Sequence, residues 1–435
     1  MTARGADAVR ARARTRARRT RVPPVRTARR ADRASVSLLL IVLILLVTTG
    51  FLGFFGVLDV STALAYTGRF TGVLLIVAAA VVLLGAIAAV DHWYRQSFPY
   101  SGLVALLGSV TAATANLMLF ITTLREGDST AYLLVWCALA AGGAWAAVAV
   151  YRTSVEIPAP KRIAAAVIVS GAVAVANFGY TQLYQPYHTE INPVLDVTLG
   201  EPVLSADKKA FALPVTISFE NRSDVGVYLL APEFRVLGTA VAVSPERRPP
   251  SQWQRDVESG RPVSRWEISG QPELLQAGSW HVFGSWLAGH QTYVTSRIVV
   301  LPRSTPYDQI QVAASTAIAR RDRMSMDEFG TPHVSWKGDP VKAPDWVLAG
   351  ASGYVTYEGR IHENNAIAEH TRDPRHLTVW WTFGGHGAGV SGTIARTGES
   401  DRQLTGAEMV ALKNRYGFDF VNKGWVTRSL WDVKS

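Results

Sequence analysis

Two patterns divide the chain. Five long stretches carry no Asp, Glu, Lys or Arg: Ser35–Leu58, Phe70–Val90, Gln96–Leu124, Ala131–Tyr151 and Ile163–Thr189. The shortest has 21 residues, and a helix of that length reaches about 32 Å, enough for a hydrocarbon core of about 30 Å. Runs this apolar read as membrane-spanning helices, because only internally hydrogen-bonded backbone survives in lipid. Five in succession, joined by short polar links, exclude buried helices of a soluble protein. The spans are expected at about 35–58, 70–90, 98–124, 131–151 and 163–185. The first could be mistaken for a secretory signal, since Ala63-Leu64-Ala65 resembles a cleavage site. Its 24 residues exceed the 7–15 of a signal's apolar region, so it reads as an uncleaved span.

After residue 190 the period changes to two. In Phe211-Ala-Leu-Pro-Val-Thr-Ile-Ser-Phe219 every odd position is apolar, the mark of a half-buried strand, and Pro214 suggests a sheet edge. Leu195–Leu199 alternates likewise. Further strands are expected at Val225–Leu230, Phe234–Val243, Arg265–Ile268, Trp280–Trp286 and Thr292–Leu301. Such a series implies an antiparallel β-sandwich over 190–302. A second β-rich α+β unit is expected over 303–435, with strands at Ile310–Ile318, Gly353–Tyr357, Leu377–Phe383, Gly389–Ile394 and Gly424–Trp431. A loop rich in Asp, Gly, Pro and Lys separates the first two of these, at about 327–344. One helix is expected near 406–416, since Thr405-Gly-Ala-Glu408 is a capping box and Gly417 is placed to end it. The fold class is therefore a five-span α-helical membrane bundle followed by a mainly-β region.

Charge orients the bundle. The first 35 residues hold 12 Arg against two acids, and the remaining 400 are balanced, so the formal net charge of +10 sits in one tail. That excludes a uniformly basic nucleic-acid-binding protein. Placing the N-terminus in the cytoplasm puts 16 basic residues inside and 2 outside, and the positive-inside rule then fixes residues 190–435 as extracytoplasmic. Residues 1–34 read as a disordered tail. Arg10, Arg12, Arg14, Arg16, Arg18 and Arg19 form no helical face, and they suit an anionic inner leaflet. No aromatic residue stands among them to stack on a base, so no specific nucleic acid is expected. Arg outnumbers Lys 36 to 8 in an Ala- and Gly-rich chain, which fits a GC-rich bacterial genome and places the protein in a bacterial plasma membrane.

Candidate chemistry is sparse. The spans carry no charged residue at depth, which disfavours an ion-coupled transporter. Asn116 and Asn177 are their main polar side chains and read as interhelical hydrogen-bond partners, while Gly142, Gly143, Gly171 and Ala174 would allow close helix approach. Beyond residue 190 there is no cysteine, so a hydrophobic core must hold that region together. No nucleophile elbow, zinc motif or phosphate loop occurs, and neither metal nor cofactor is expected. His362, His370 and His376 fall close together beside Glu363 and Asp373, and His386 sits between glycines. If Val379 and Trp381 enter the core, Trp380 projects outward and can stack on a sugar ring or anchor a partner. These five residues are the candidate ligand-binding set. The function expected is non-catalytic presentation of a β-rich region to an envelope polymer or a membrane-protein partner. The alternatives are an envelope enzyme with a site near His362–His386 and, least supported, a transport subunit.

Overall fold

Sustained apolarity produces four long helices in the computed structural model, which describes residues 25–153, 191–260, 263–327, 329–338, 342–348, 351–384 and 387–434. They are α1 (Val25–Thr62), α2 (Tyr66–Val90), α3 (Ser101–Glu126) and α4 (Thr130–Tyr151). All four contain segments long and apolar enough to cross a membrane. The fifth expected span, with Asn177, Gly171 and Ala174, and the arginines of residues 10–19 lie outside the described residues. The chain forms two compact units, the first comprising the helical residues up to Val57, Gly72–Leu124 and those from Thr130.

Each helix in this first unit buries one seam. On α1 it is Leu38, Ile41, Leu45, Thr48, Leu52 and Phe55, and on α3 Ala105, Ser109, Ala112, Asn116, Leu119 and Thr123. Alternating steps of three and four are the spacing of knobs packing into a neighbour's holes. The opposite positions, such as Leu39, Leu43 and Leu46, stay exposed, as a lipid-facing side must. Asn116 Nδ2 donates to Thr48 Oγ1 at 3.1 Å and to the Ala112 carbonyl at 2.8 Å, so it ties α3 to α1. Buried Trp136 of α4 meets Phe51 and Phe55 of α1 edge-on. Gly142 lies against Ile44, and Gly143 packs on the α3 backbone at Ala113. The closest approach joins Gly85 of α2 to Gly108 of α3, where an added Cβ on Gly108 would lie 2.6 Å from the Gly85 Cα. Because backbone cannot yield as a side chain can, Gly108→Val is expected to separate α2 from α3. A thermal melt of the detergent-purified protein should show a clear loss of stability for Gly108→Val and little change for Gly50→Val, since Gly50 has open space around its Cβ position.

The second unit takes in the β-rich region together with Leu58–Thr71 and Arg125–Ser129, the links between helices. All of its strand pairs are antiparallel. In the first sheet, β3 (Ala210–Asn221) lies between β1 (Pro193–Leu199) and β10 (Thr292–Pro302), with β2 (Val203–Leu204) also pairing β3. The edge position inferred from Pro214 is therefore corrected. The Pro214 carbonyl accepts from Gly200 N at 2.8 Å, and within a strand a residue's nitrogen and carbonyl point the same way. Its missing donor thus faces the gap after β1 ends at Leu199 and before β2 begins, where no ladder bond is lost.

The second sheet is centred on β11 (Gln309–Arg320). On one edge β11 pairs with β5 (Glu233–Thr239) and β4 (Val227–Leu229), on the other with β17 (Asp419–Ser429). Strands β8 (Glu273–Ser279) and β9 (Ser285–Leu287) flank β5 and β4. Strand β11, from the stretch after Pro302, thus shares a sheet with strands that precede it. The run expected as one strand over Phe234–Val243 is two, because β6 (Val241–Val243) leaves to pair with β7 (Glu267–Ser269), and α5 (Pro250–Glu258) lies between them. The third sheet orders β12 (Met324–Asp327), β14 (Gly353–Glu363), β15 (Arg375–Gly384) and β16 (Gly387–Arg396), with β13 (Pro332–Val334) on β14.

Two cores follow from alternation. Phe211, Leu213, Val215, Ile217 and Phe219 of β3 meet Val236, Trp280, Ile310, Val312 and Ile318 from the second sheet's side. Ala317 and Ala319 of β11 share the other core with Tyr357, Ile361, Leu377 and Val379 of the third sheet and with Tyr416 and Phe418. Glu233 is buried at that junction. Ser315 Oγ and Trp381 Nε1 donate to it at 2.8 and 3.0 Å, and burial pushes its carboxyl above the usual range. Helix α8 (Gly406–Tyr416) has the expected capping box, with Glu408 N donating to Thr405 Oγ1 and Thr405 N to Glu408, and Gly417 ends it at φ 62°.

Candidate functional site: a polar cleft on the third sheet

Register builds the site. Asp327 of β12 stands opposite Arg360 of β14, which stands opposite His376 of β15. Side chains alternate along a strand, so these three and Glu358 share one face while Ile361 and Leu377 enter the core from the other. The face forms an open cleft of about 610 Å³ lined by Asp327, Thr331, His333, Glu358, Arg360 and His376. Carboxylates, a guanidinium and imidazoles converge there, giving both donors and acceptors. His376 is half-buried with Nε2 3.4 Å from Asp401, and that carboxylate holds its imidazole above the ordinary histidine range.

The other predicted residues serve differently. His362 sits beside the cleft with both ring nitrogens occupied, Nε2 by Asp327 at 2.6 Å and Nδ1 by Glu369 at 3.2 Å. His370 is on the short helix α7 (Ala366–Thr371), with Nδ1 2.9 Å from the Ala366 carbonyl. His386 lies outside the described residues. Glu363 belongs to a buried clamp: Arg372 Nη1 and the Tyr416 hydroxyl donate to its Oε1 at 2.7 and 2.6 Å, and Arg415 reaches Oε2 at 3.2 Å. Burial alone would raise the Glu363 carboxyl, but the guanidiniums of Arg415 and Arg372 outweigh it and hold it below the usual range. Among the described residues no group of three or more His, Cys, Asp or Glu could hold a metal ion.

Trp380 needs correction. Val379 is in the core and Trp380 is on the opposite face, as alternation requires, yet Trp380 is only 1% exposed. Helix α6 (Asp345–Leu348) covers it, with Trp346 edge-on at 5.4 Å. These four residues follow directly on the loop expected at about 327–344, and a single turn is too short to show a helical period. Thr356, opposite Trp380, and Thr378, opposite Glu358, are buried on the same face. Thr356 Oγ1, Thr378 Oγ1 and Trp380 Nε1 are all buried and have no hydrogen-bond partner among the described residues. Leaving one buried polar group unpaired costs about 1–3 kcal/mol.

Sequence reasoning also missed contacts made by the helix links. Leu64 N donates to the Asn364 carbonyl and Ala366 N to Asp59 Oδ1 at 2.6 Å. Asp128 accepts from Arg375 at 3.0 Å and Arg396 at 3.1 Å, while the backbone of Asp128 and Ser129 donates to the Thr371 carbonyl. More than 240 residues separate Asp128 from these partners, so no local motif signals them.

No protein-family model matches the chain, and no curated protein matches it. Among solved structures, the Bacillus subtilis sporulation control protein Spo0M is 9% identical at a TM-score of 0.18, covering 55% of this chain and 90% of that one. A Bordetella pertussis protein described as ApaA is 12% identical at 0.17, covering 30% of this chain and 82% of that one. Likenesses this slight carry no argument about fold or function.

Proposed function

We propose that the protein is a five-span bacterial plasma-membrane protein whose extracytoplasmic β-rich region binds an envelope polymer without catalysis. The observation that carries the binding reading is the polar cleft itself, where Asp327, Glu358, Arg360 and His376 converge on one face of the third sheet. Hydroxyl-rich chains supply both donors and acceptors to match these groups, so a glycan is the ligand class favoured. The shared core of the first two sheets supports a sandwich.

Parity supports the fifth crossing. Successive spans place the α1–α2 and α3–α4 links on one side of the membrane and the end of α4 on the other. Those links belong to the same unit as the β-rich region, which supports a further crossing by the uncharged run Ile163–Thr189. The arginine tail then orients the whole with its N-terminus in the cytoplasm and its inner leaflet contact at the tail.

The test uses full-length protein in detergent, carrying Glu358→Gln and Arg360→Gln, against purified cell-wall polymer and, separately, membrane extract. Removing both charges from the cleft should weaken polymer binding about tenfold with little change in melting temperature, since the Arg360 side chain is largely exposed and its pairing with Glu369 is a surface one. Unchanged polymer binding in the variant would refute the reading, and release of soluble sugar by the unaltered protein would replace it with a hydrolase using Asp327 and Glu358.

A further inference from the structure

A second cleft, of about 510 Å³, is lined by Thr62, Leu64 and Arg69 from the α1–α2 link and by Tyr228, Trp286 and Arg321 from the second sheet. All of these belong to the second unit. Its charge is one-sided. Asp322, the acid at its wall, is already bound by Arg320 through both oxygens at 2.9 and 2.7 Å. Arg321 instead lies over the Trp286 ring, its Cζ 3.6 Å from the ring centroid, and hydrogen-bonds the Tyr228 hydroxyl, while Arg69 donates Nε to the Ala63 carbonyl at 3.2 Å. These contacts hold the two guanidiniums in place at the cleft, and a guanidinium is the group that grips a phosphate by parallel hydrogen bonds. Burial raises the Tyr228 hydroxyl above its ordinary range, so it stays protonated as a further donor.

The position of the cleft identifies the source of the anion. It opens where one apolar helix ends at Thr62 and the next begins at Tyr66. Tyr66 is 83% and Phe70 51% exposed on either side of Arg69, as aromatic anchors at headgroup level are. We propose that Arg69 and Arg321 together bind the phosphate of a membrane lipid headgroup. The site needs α1 and α2 to lie in a bilayer, but neither the fifth crossing nor the polymer-binding reading.

The test adds phosphatidylglycerol, phosphatidylcholine or inorganic phosphate to full-length protein in a neutral detergent and follows its melting temperature. Phosphatidylglycerol should raise it most, and the Arg69→Gln/Arg321→Gln variant should need at least about tenfold more lipid for the same rise. Arg303→Gln, which removes an exposed charge elsewhere, should respond as the unaltered protein does. Native mass spectrometry of the unaltered protein should find a retained phosphatidylglycerol, which keeps the question answerable if the double variant folds poorly. Equal responses of the double variant and the unaltered protein would overturn the site, as would a loss in Arg303→Gln as large as in the double variant, or no retained lipid. An inorganic phosphate effect matching that of phosphatidylglycerol would overturn the lipid as the source.

Discussion

Glu363→Ala is expected to cost about 3–5 kcal/mol of stability, the range for breaking a buried ion pair by removing one partner. Glu363 and Arg372 side chains are each 7% exposed and Arg415 15%, so the variant leaves two guanidiniums and the Tyr416 hydroxyl without their shared acceptor. The clamp joins the end of β14 to the chain before β15 and to the C-terminus of α8, and all three should loosen together. The pH dependence has a definite sign. Because the folded carboxyl lies below its unfolded value, its contribution is full above about pH 4.3 and is lost as pH falls through the folded pKa. The gap between the two proteins should therefore narrow in acid. Chemical denaturation of the full chain at pH 7 and at about pH 3, below the unfolded value, measures both effects, and a gap that widened in acid would contradict the clamp.

Trp280→Ala should be comparably severe, about 3–5 kcal/mol. Trp280 is fully buried in the core shared by the first two sheets, stacked on Phe219 at 5.9 Å, and its Nε1 donates to the Ser315 carbonyl at 3.3 Å. Alanine would open a cavity and remove that hydrogen bond to the central strand. Trp280→Phe keeps most of the contact area and forfeits the hydrogen bond, for a loss on the order of 1 kcal/mol. The ordering of the two variants in thermal melts tests whether packing or the hydrogen bond dominates at this position.

What the sequence disclosed depended on the range of the signal. Absence of charge over 21 or more residues is local, so the described spans were legible. Which side of each helix packs was not, because apolar residues surround the axis and the seam on α3 is made of Ala105, Ser109, Ala112 and Asn116 rather than large hydrophobes. Gly85 and Gly108 carry no sequence signal for the same reason, since only the neighbouring backbone makes them special. The α8 capping box, closed within four residues, was fully legible. Alternation located β1, β3 and β10, but the placement of β11 between β5 and β17 is a long-range choice that no single run encodes. At the site, the clustering of His362 and His376 was visible, whereas Asp327 and Glu358 became relevant only through register. Alternation puts Trp380 on the face opposite Val379, but its cover, the four residues of α6, is too short a run to carry a helical period.

The central claim is that the arginine tail and the β-rich region lie on opposite sides of a membrane. Single-cysteine labelling tests it directly in a Cys137→Ser background, which removes the chain's only native thiol. Glu399→Cys, in an exposed turn after β16, should react with a membrane-impermeant maleimide on intact cells, and Ala6→Cys only after permeabilisation. Labelling of Glu399→Cys that also required permeabilisation would contradict the account.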